Sequence, residues 1–221
     1  MPLAALRAAG LAPRLLSPLS HGFVYQIPAL LDASQSQQLF ERLVSGDCGE
    51  WRTEVDAFGP QQRQSAYFGD DGAIFSYVGL RLQPRAWPAA MGAARQRAAV
   101  VADAHNSAFT ACLANHYGEG NGSIPFHHDE VRAHGDAKLV LVLSLGGERR
   151  MLLRRRGDSL QPPLSLRLPA GSALVMGGSA QDHWEHSVPL DPADAPRRVS
   201  LTFRTIELGF EEGRPPPLVN T

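Results

Sequence analysis

The sequence predicts an α+β chain that is mainly β, and two observations carry that reading. From Phe109 onward, short β-rich runs (FTACLANHY, LVLVLSLGG, RRMLLRRR, LSLRLPAG, SALVMGG, RRVSLTFRTI) are separated by Gly, Pro and Asp. Regular short strands with turn signals between them form sandwiches or barrels. Ahead of them lie two segments with helical character, which predicts helices supporting one face of the β-structure.

Taken in order, residues 1–20 carry Arg7 and Arg14, no acid, and prolines at 2, 13 and 18. The prolines interrupt an amphipathic targeting helix, so this stretch is expected to be a short extension. Residues 34–45 (SQSQQLFERLVS) place Leu39, Phe40, Leu43 and Val44 on one helical face, with Ser34 as N-cap and Gly46 as terminator. A second, alanine-rich helix is expected after Pro88, since proline suits a first helical turn. Between them residues 56–72, rich in Gly, Gln and Asp, read as a mobile loop holding Arg63, Tyr67 and Phe68. Residues 74–82 alternate as one strand.

No internal repeat or interdomain linker interrupts the chain, so the expected organisation is an extension over 1–20, one domain over 21–208 and a tail over 209–221. The 221 residues are 43% hydrophobic, enough for a single large core. No run of eighteen apolar residues provides a membrane span, and a cytoplasmic monomer is the default expectation. Cys48 and Cys112 are too few for a disulfide framework or a thiolate zinc site. The net charge of −1 argues against a tight grip on duplex nucleic acid. The cations are twenty Arg and the single Lys138. The densest run, Arg149, Arg150, Arg154, Arg155 and Arg156, reads equally as a contact for phosphates or as a charged edge that discourages strand pairing.

The chemistry concentrates in four short patterns. His127-His128-Asp129 follows a strand start, and His186 comes 57 residues after Asp129 in HWEHSVP. Two imidazoles and one carboxylate on one face of an octahedral metal leave positions open for substrate and oxygen. Side chains at i and i+2 of a strand share a face, so His127 pairs with Asp129 and His128 points away. Arg198 and Arg204, six apart on the last strand, likewise share a face and suit a dicarboxylic co-substrate through forked pairing. Asn115 and Tyr117, again i and i+2, could add hydrogen bonds from a neighbouring strand. Each pattern alone also fits a solvated strand face or a histidine-rich loop; their joint order is far harder to reach by chance.

In that order the sequence resembles the AlkB-type Fe(II)/2-oxoglutarate-dependent dioxygenases, which oxidatively dealkylate nucleobases. The matching stretches are Asn115-His-Tyr117, His127-His-Asp129, Leu143-Ser-Leu-Gly146, Leu168-Pro-Ala-Gly171 leading into Met176, Trp184-Glu-His186-Ser-Val-Pro189, and Arg198-Val-Ser-Leu-Thr-Phe-Arg204. The family carries R-V-N-L-T-F-R at the last, so Ser200 stands where it has Asn. The resemblance covers roughly residues 20–208 and implies a double-stranded β-helix, or jelly roll, with N-terminal supporting helices. It implies Fe(II) on His127, Asp129 and His186, with O2 and 2-oxoglutarate as co-substrates. Arg204 would hold the chelating end of 2-oxoglutarate and Arg198 its distal carboxylate, aided by Asn115 and Tyr117.

The implied reaction is oxidative demethylation of N-alkylated bases in DNA or RNA, single strands among them, with release of formaldehyde, succinate and CO2. Phe75 and Tyr77 resemble the aromatic strand lining the base pocket and would sandwich the base, unless they pack as core. Arg63, Tyr67 and Phe68 resemble the nucleotide-recognition lid. One departure concerns the target: relatives place an acid two residues after the ligand Asp, whereas here that position is Val131 and the acid is Glu130. That departure favours a protein side chain or small metabolite as the alternative target. A non-catalytic nucleic-acid-binding relative is the other alternative, against which the complete ligand set argues.

Overall fold

The computed structural model describes residues 3–17, 22–46, 48–119, 122–129, 138–158, 160–190 and 195–208. In chain order its elements are α1 (Leu3–Ala8), β1 (Arg14–Ser17), β2 (Phe23–Ile27), α2 (Ala33–Val44), β3 (Val55–Asp56), β4 (Gly59–Pro60), β5 (Gln64–Gly69), β6 (Phe75–Tyr77), β7 (Leu80–Leu82) and α3 (Gly92–Asp103), a 3-10 turn preceding α3. There follow β8 (Ala111–Tyr117), β9 (Ile124–His127), β10 (Val140–Gly146), β11 (Arg149–Arg155), β12 (Leu164–Leu168), β13 (Ala173–Gly177), α4 (Ala180–His183), β14 (Trp184–Val188) and β15 (Arg198–Arg204).

Two antiparallel sheets make the frame: seven strands in the order β1-β2-β13-β10-β15-β8-β5, and four in the order β12-β11-β14-β9. This is the expected jelly roll with helices on one side. Strand alternation sorts the large sheet into two faces. On the outer face Leu141, Leu143, Val175, Val199, Leu201 and Phe203 join Leu39 and Leu43 of α2 and Ala94, Ala98 and Val101 of α3 in the main core. On the inner face Val140, Val142, Leu174 and Met176 meet Met151, Leu153, Leu166 and Leu168 of the small sheet. Burying each such aliphatic side chain contributes about 1.5–3 kcal/mol, so the two apolar layers hold the central strands from both sides. Leu6 of α1 is fully buried in the main core, and β1 pairs with β2, so residues of the N-terminal extension are built into this frame.

Local chemistry corrects three expectations. The N-cap of α2 is Asp32 rather than Ser34: its carboxylate accepts from the Gln35 N–H at 2.8 Å while the Asp32 N–H donates to Gln35 Oε1 at 3.2 Å, a capping box two residues earlier. Residues 56–72 are not a mobile loop. They contain β4 and β5, and β5 is ladder-bonded to β8 from Gln64↔His116 to Gly69↔Ala111. Polar composition misled there because β5 is short and buried on both faces, with Phe68 in the main core beneath the Arg85 guanidinium. Residues 74–82 form a hairpin rather than one strand. Val78 and Gly79 have φ of 40° and 82°, the pair of positive values that a two-residue type I′ turn demands. Val is a poor occupant of such a turn, which is why alternation read through it. Among the described residues no helix is long and apolar enough to cross a membrane.

Candidate active site

Between the sheets lies a cavity of about 670 Å³, lined by Asn115, Tyr117, His127, Asp129, His186, Arg198 and Arg204 among others. The last strand explains the cationic side. In β15, Val199, Leu201 and Phe203 face the helices, so Arg198, Ser200, Thr202 and Arg204 must face the cavity. In β8, Cys112 and Ala114 face the helices, and Leu113, Asn115 and Tyr117 the cavity. The β8–β15 ladder sets Tyr117 opposite Arg198 and Asn115 opposite Ser200. Arg198 is fully buried; its Nε donates to Ser144 Oγ at 2.8 Å and its guanidinium lies 5.1 Å from the Tyr117 ring centre.

The other wall supplies the candidate ligands. His127 ends β9 and pairs in register with His186 of β14. Asp129 stands two residues beyond the strand, yet one ligand atom from each of the three lies within 4.8 Å of the others. Convergence therefore holds although the strand argument for it does not, because the backbone has already left the ladder. For the same reason His128 does not point away; it also lines the cavity, outside the ligand group.

Electrostatics suit these three to a metal. The His127 Nδ1–H donates to the Pro125 carbonyl at 2.9 Å, which leaves Nε2 as the lone-pair donor. Burial lowers the His127 pKa against the opposing pull of Asp129. Burial, and then His127, push His186 down to about 3. Both imidazoles are thus neutral near pH 7, the form that ligates a cation. Asp129 accepts a hydrogen bond from Arg204 Nη2, and the pair is almost fully buried. The remaining Arg204 donors, Nε and Nη1, are buried with no hydrogen-bond partner among the described residues. Such orphaned donors are costly, and an anionic ligand in the cavity would satisfy them.

The substrate-side expectations divide. Arg63 lines the cavity and its Nε donates to Asn115 Oδ1 at 2.9 Å. Tyr67 and Phe68 do not: Tyr67 is buried with its hydroxyl bonded to the Ala73 carbonyl at 2.6 Å, and neither borders the cavity. They are sheet residues, so a lid built on them is ruled out by geometry. Phe75 and Tyr77 both line the cavity but stack on each other at 5.0 Å with planes 22° apart. Side by side on one strand, they leave no gap for a ring between them, and Phe75 is already covered by Arg204 at 4.8 Å. Glu130 and Val131 lie outside the described residues.

The arginine run does not present all of its charges together. Arg149 is buried and donates to the Gly118 carbonyl at 2.9 Å, while Arg154 pairs with Glu185 at 2.6 Å and lies 3.7 Å over the Phe126 ring.

Sequence reasoning missed the cavity rim. Phe58, at the tip of the β3–β4 hairpin, is 89% exposed, and the neighbouring hairpin is joined to this one where the Ala57 N–H donates to the Val78 carbonyl at 3.1 Å. Gln61 behind them donates to Asp56 Oδ2 at 3.0 Å and to the Tyr77 hydroxyl at 3.3 Å. The only signal in the sequence was an aromatic residue beside Gly59 in a polar stretch.

Comparison with known proteins agrees with this geometry. Residues 23–204 match the family model of the 2OG-Fe(II) oxygenase superfamily. The chain is 27% identical over 200 residues to the alpha-ketoglutarate-dependent dioxygenase alkB homolog 3 of Rattus norvegicus, covering 86% of this chain and 66% of that one. It is 30% identical over 150 residues to the DNA oxidative demethylase ALKBH2 of Mus musculus, covering 65% and 62%. The chain thus spans somewhat less than two thirds of either relative's length. In fold it is similar to OsALKBH1, with a TM-score of 0.65 at 17% identity over 88% of this chain and 100% of that one. It is also similar to a Pseudomonas putida prolyl-4-hydroxylase, with a TM-score of 0.54 at 18% identity over 94% and 100%. By its family model, this chain belongs to the 2OG-Fe(II) oxygenase superfamily.

Proposed function

We propose that the chain is an Fe(II)- and 2-oxoglutarate-dependent dioxygenase that demethylates N-alkylated bases of DNA or RNA, yielding formaldehyde, succinate and CO2. The observation that carries this reading is one cavity holding a two-histidine, one-carboxylate cluster beside two inward arginines. Relatives named as a DNA oxidative demethylase and an alkB homolog support the nucleic-acid target.

His127, Asp129 and His186 would hold Fe(II), which with 2-oxoglutarate and O2 supplies the oxidising power to hydroxylate an alkyl C–H bond. The residues do the positioning. Arg204 would hold one carboxylate of 2-oxoglutarate through the donors it leaves unused. Arg198 takes the distal carboxylate, with Asn115 and Tyr117 beside it. Ser200 replaces an amide with a shorter hydroxyl, weakening one contact on that strand. Tyr77 and the exposed Phe58 offer aromatic surface to a base that has left its stack. The near-neutral charge and the divided arginine run suit a single-stranded target better than a tightly held duplex. We extend the proposal to a monomeric, cytoplasmic protein whose dioxygenase domain spans 21–208, with residues of the extension before it packed into the domain's core and sheet, followed by a tail over 209–221.

The test is reconstitution with Fe(II) and 2-oxoglutarate, then exposure to O2 with methylated A- and C-containing oligonucleotides, reading formaldehyde and base mass. Stoichiometric formaldehyde and restored base mass are expected. Succinate formed equally without oligonucleotide, with no change in base mass, would move the target to the alternative that Val131 favours, a protein or small molecule.

A further inference from the structure

Asp129 lies two residues past the end of β9, so strand pairing does not set its backbone. Arg204 holds its carboxylate. Its main chain is held from elsewhere: the Asp129 N–H donates to Gln181 Oε1 at 3.0 Å. Gln181 is 2% exposed, and its Nε2 donates to Met176 Sδ at 3.7 Å. Both ends of the amide are therefore engaged, and rotating it by half a turn would set NH2 against N–H.

Gln181 sits in α4, a single turn that is itself fixed on several sides. Lys138 Nζ bonds Asp182 Oδ2 at 2.8 Å, the Arg156 N–H donates to the His183 carbonyl at 2.9 Å, and Arg156 Nη1 donates to the Asp182 carbonyl at 3.2 Å. Gly22, with φ of +94°, lets β2 begin against α4; a Cβ there would stand 2.5 Å from the Ala180 nitrogen. The turn then runs directly into β14, which presents His186 five residues after Gln181.

We propose that Gln181 is a positioning residue for the metal-ligand set. Through it, the segment that carries the third ligand also fixes the main chain of the second, so that Asp129 and His186 are set as one unit. This rests on the metal-site reading above. A polar side chain in the apolar layer is otherwise hard to account for: an aliphatic residue would fill the same space without desolvating an amide. Groups that orient ligands from outside typically contribute ten- to hundredfold in metal affinity.

The experiment is an anaerobic titration of the purified apo-protein with Co(II), followed by its visible absorption, alongside thermal unfolding of the apo form. Wild type and D129A come first: binding by the former and loss in the latter support the metal site, and equal binding by both sinks that reading independently of Gln181. In Q181L, Co(II) affinity is expected to fall by about ten- to hundredfold, with an altered absorption band and little change in apo unfolding. Q181E keeps an oxygen acceptor and should return most of the loss. Wild-type affinity and spectrum in Q181L would overturn the proposal, as would a loss that Q181E does not relieve. If Q181L does not fold, Q181M, which keeps the length and lacks the acceptor, is judged by the same two outcomes.

Discussion

The two walls of the cavity are built by different rules. On the arginine side, β8 and β15 pair over seven consecutive residues without a shift, from Tyr117 opposite Arg198 to Ala111 opposite Arg204. Alternate residues face the cavity, and Cys112, Ala114, Val199, Leu201 and Phe203 between them are buried in the core that the helices cover. On the ligand side, β9 and β14 share two registered pairs with an irregularity between them, and Asp129 hangs beyond the strand. Ladder hydrogen bonds fix the first wall. On the second, β14 keeps its ladder to β11, with Leu153 opposite His186, while single bonds to the Pro125 carbonyl, Arg204 and Gln181 set His127 and Asp129. A ladder distributes the loss of one contact; a set of single bonds does not.

Arg204 joins the two walls, so removing it should have the largest effect. R204M would remove one partner of the buried Arg204–Asp129 pair, and breaking such a pair costs about 3–5 kcal/mol. Urea unfolding of the apo-protein should show that loss, together with abolished turnover. A variant as stable as wild type would mean that the ion pair does not tie the walls together.

Arg198 tests the regular wall alone. R198K keeps the charge and loses the fork, and hydrogen bonds to charged groups contribute about 1.5–3 kcal/mol. The KM for 2-oxoglutarate should rise by roughly ten- to hundredfold, with kcat much less affected. A fall in kcat with unchanged KM would place Arg198 outside co-substrate binding.

The contrast between the walls also explains what the sequence disclosed. Asn115, Tyr117, Arg198 and Arg204 were legible because a period of two, read through an unbroken strand, fixes which side chains share a face. His127, Asp129 and His186 were legible as residue types in order, and the geometry brings them together. The strand argument used to join 127 to 129 was nonetheless wrong in detail, since His128 borders the cavity too. Tyr67 and Phe68 were misplaced because a buried edge strand with polar neighbours has the composition of a loop. Gln181 left no trace, because its contact with Asp129 runs across the fold and no local pattern encodes it, and Phe58 left only an aromatic beside Gly59.

The rim offers a smaller effect. Tyr77 is half-buried and Phe58 exposed, and base–aromatic stacking contributes about 1–3 kcal/mol per base. Y77A and F58A should each raise the KM for a methylated oligonucleotide by roughly tenfold while leaving the KM for 2-oxoglutarate unchanged. If both constants move together, the hairpins support the cavity rather than the substrate.

The smallest effect lies on the outer face of the regular wall, where His105 Nε2 is 2.9 Å from the Tyr25 hydroxyl and the ring stacks on Phe23 at 4.8 Å. Burial lowers its pKa below the usual 6.5, and burial lowers His116 likewise. Between the folded-state pKa and 6.5 the unfolded chain therefore binds more protons than the folded one, so stability rises with pH across that window. The contribution is complete above pH 6.5 and is lost as pH falls through the folded-state value. Wild-type protein should melt at a lower temperature at pH 5.5 than at pH 7.5. H105Q, which can still bond Tyr25 but does not titrate there, should lose less over the same interval. The comparison isolates His105 because the other histidines are present in both proteins. Equal losses in the two would show that this ring is no harder to protonate in the fold than in water, and that the wall sealed by the helices is more open at its outer edge than its packing implies.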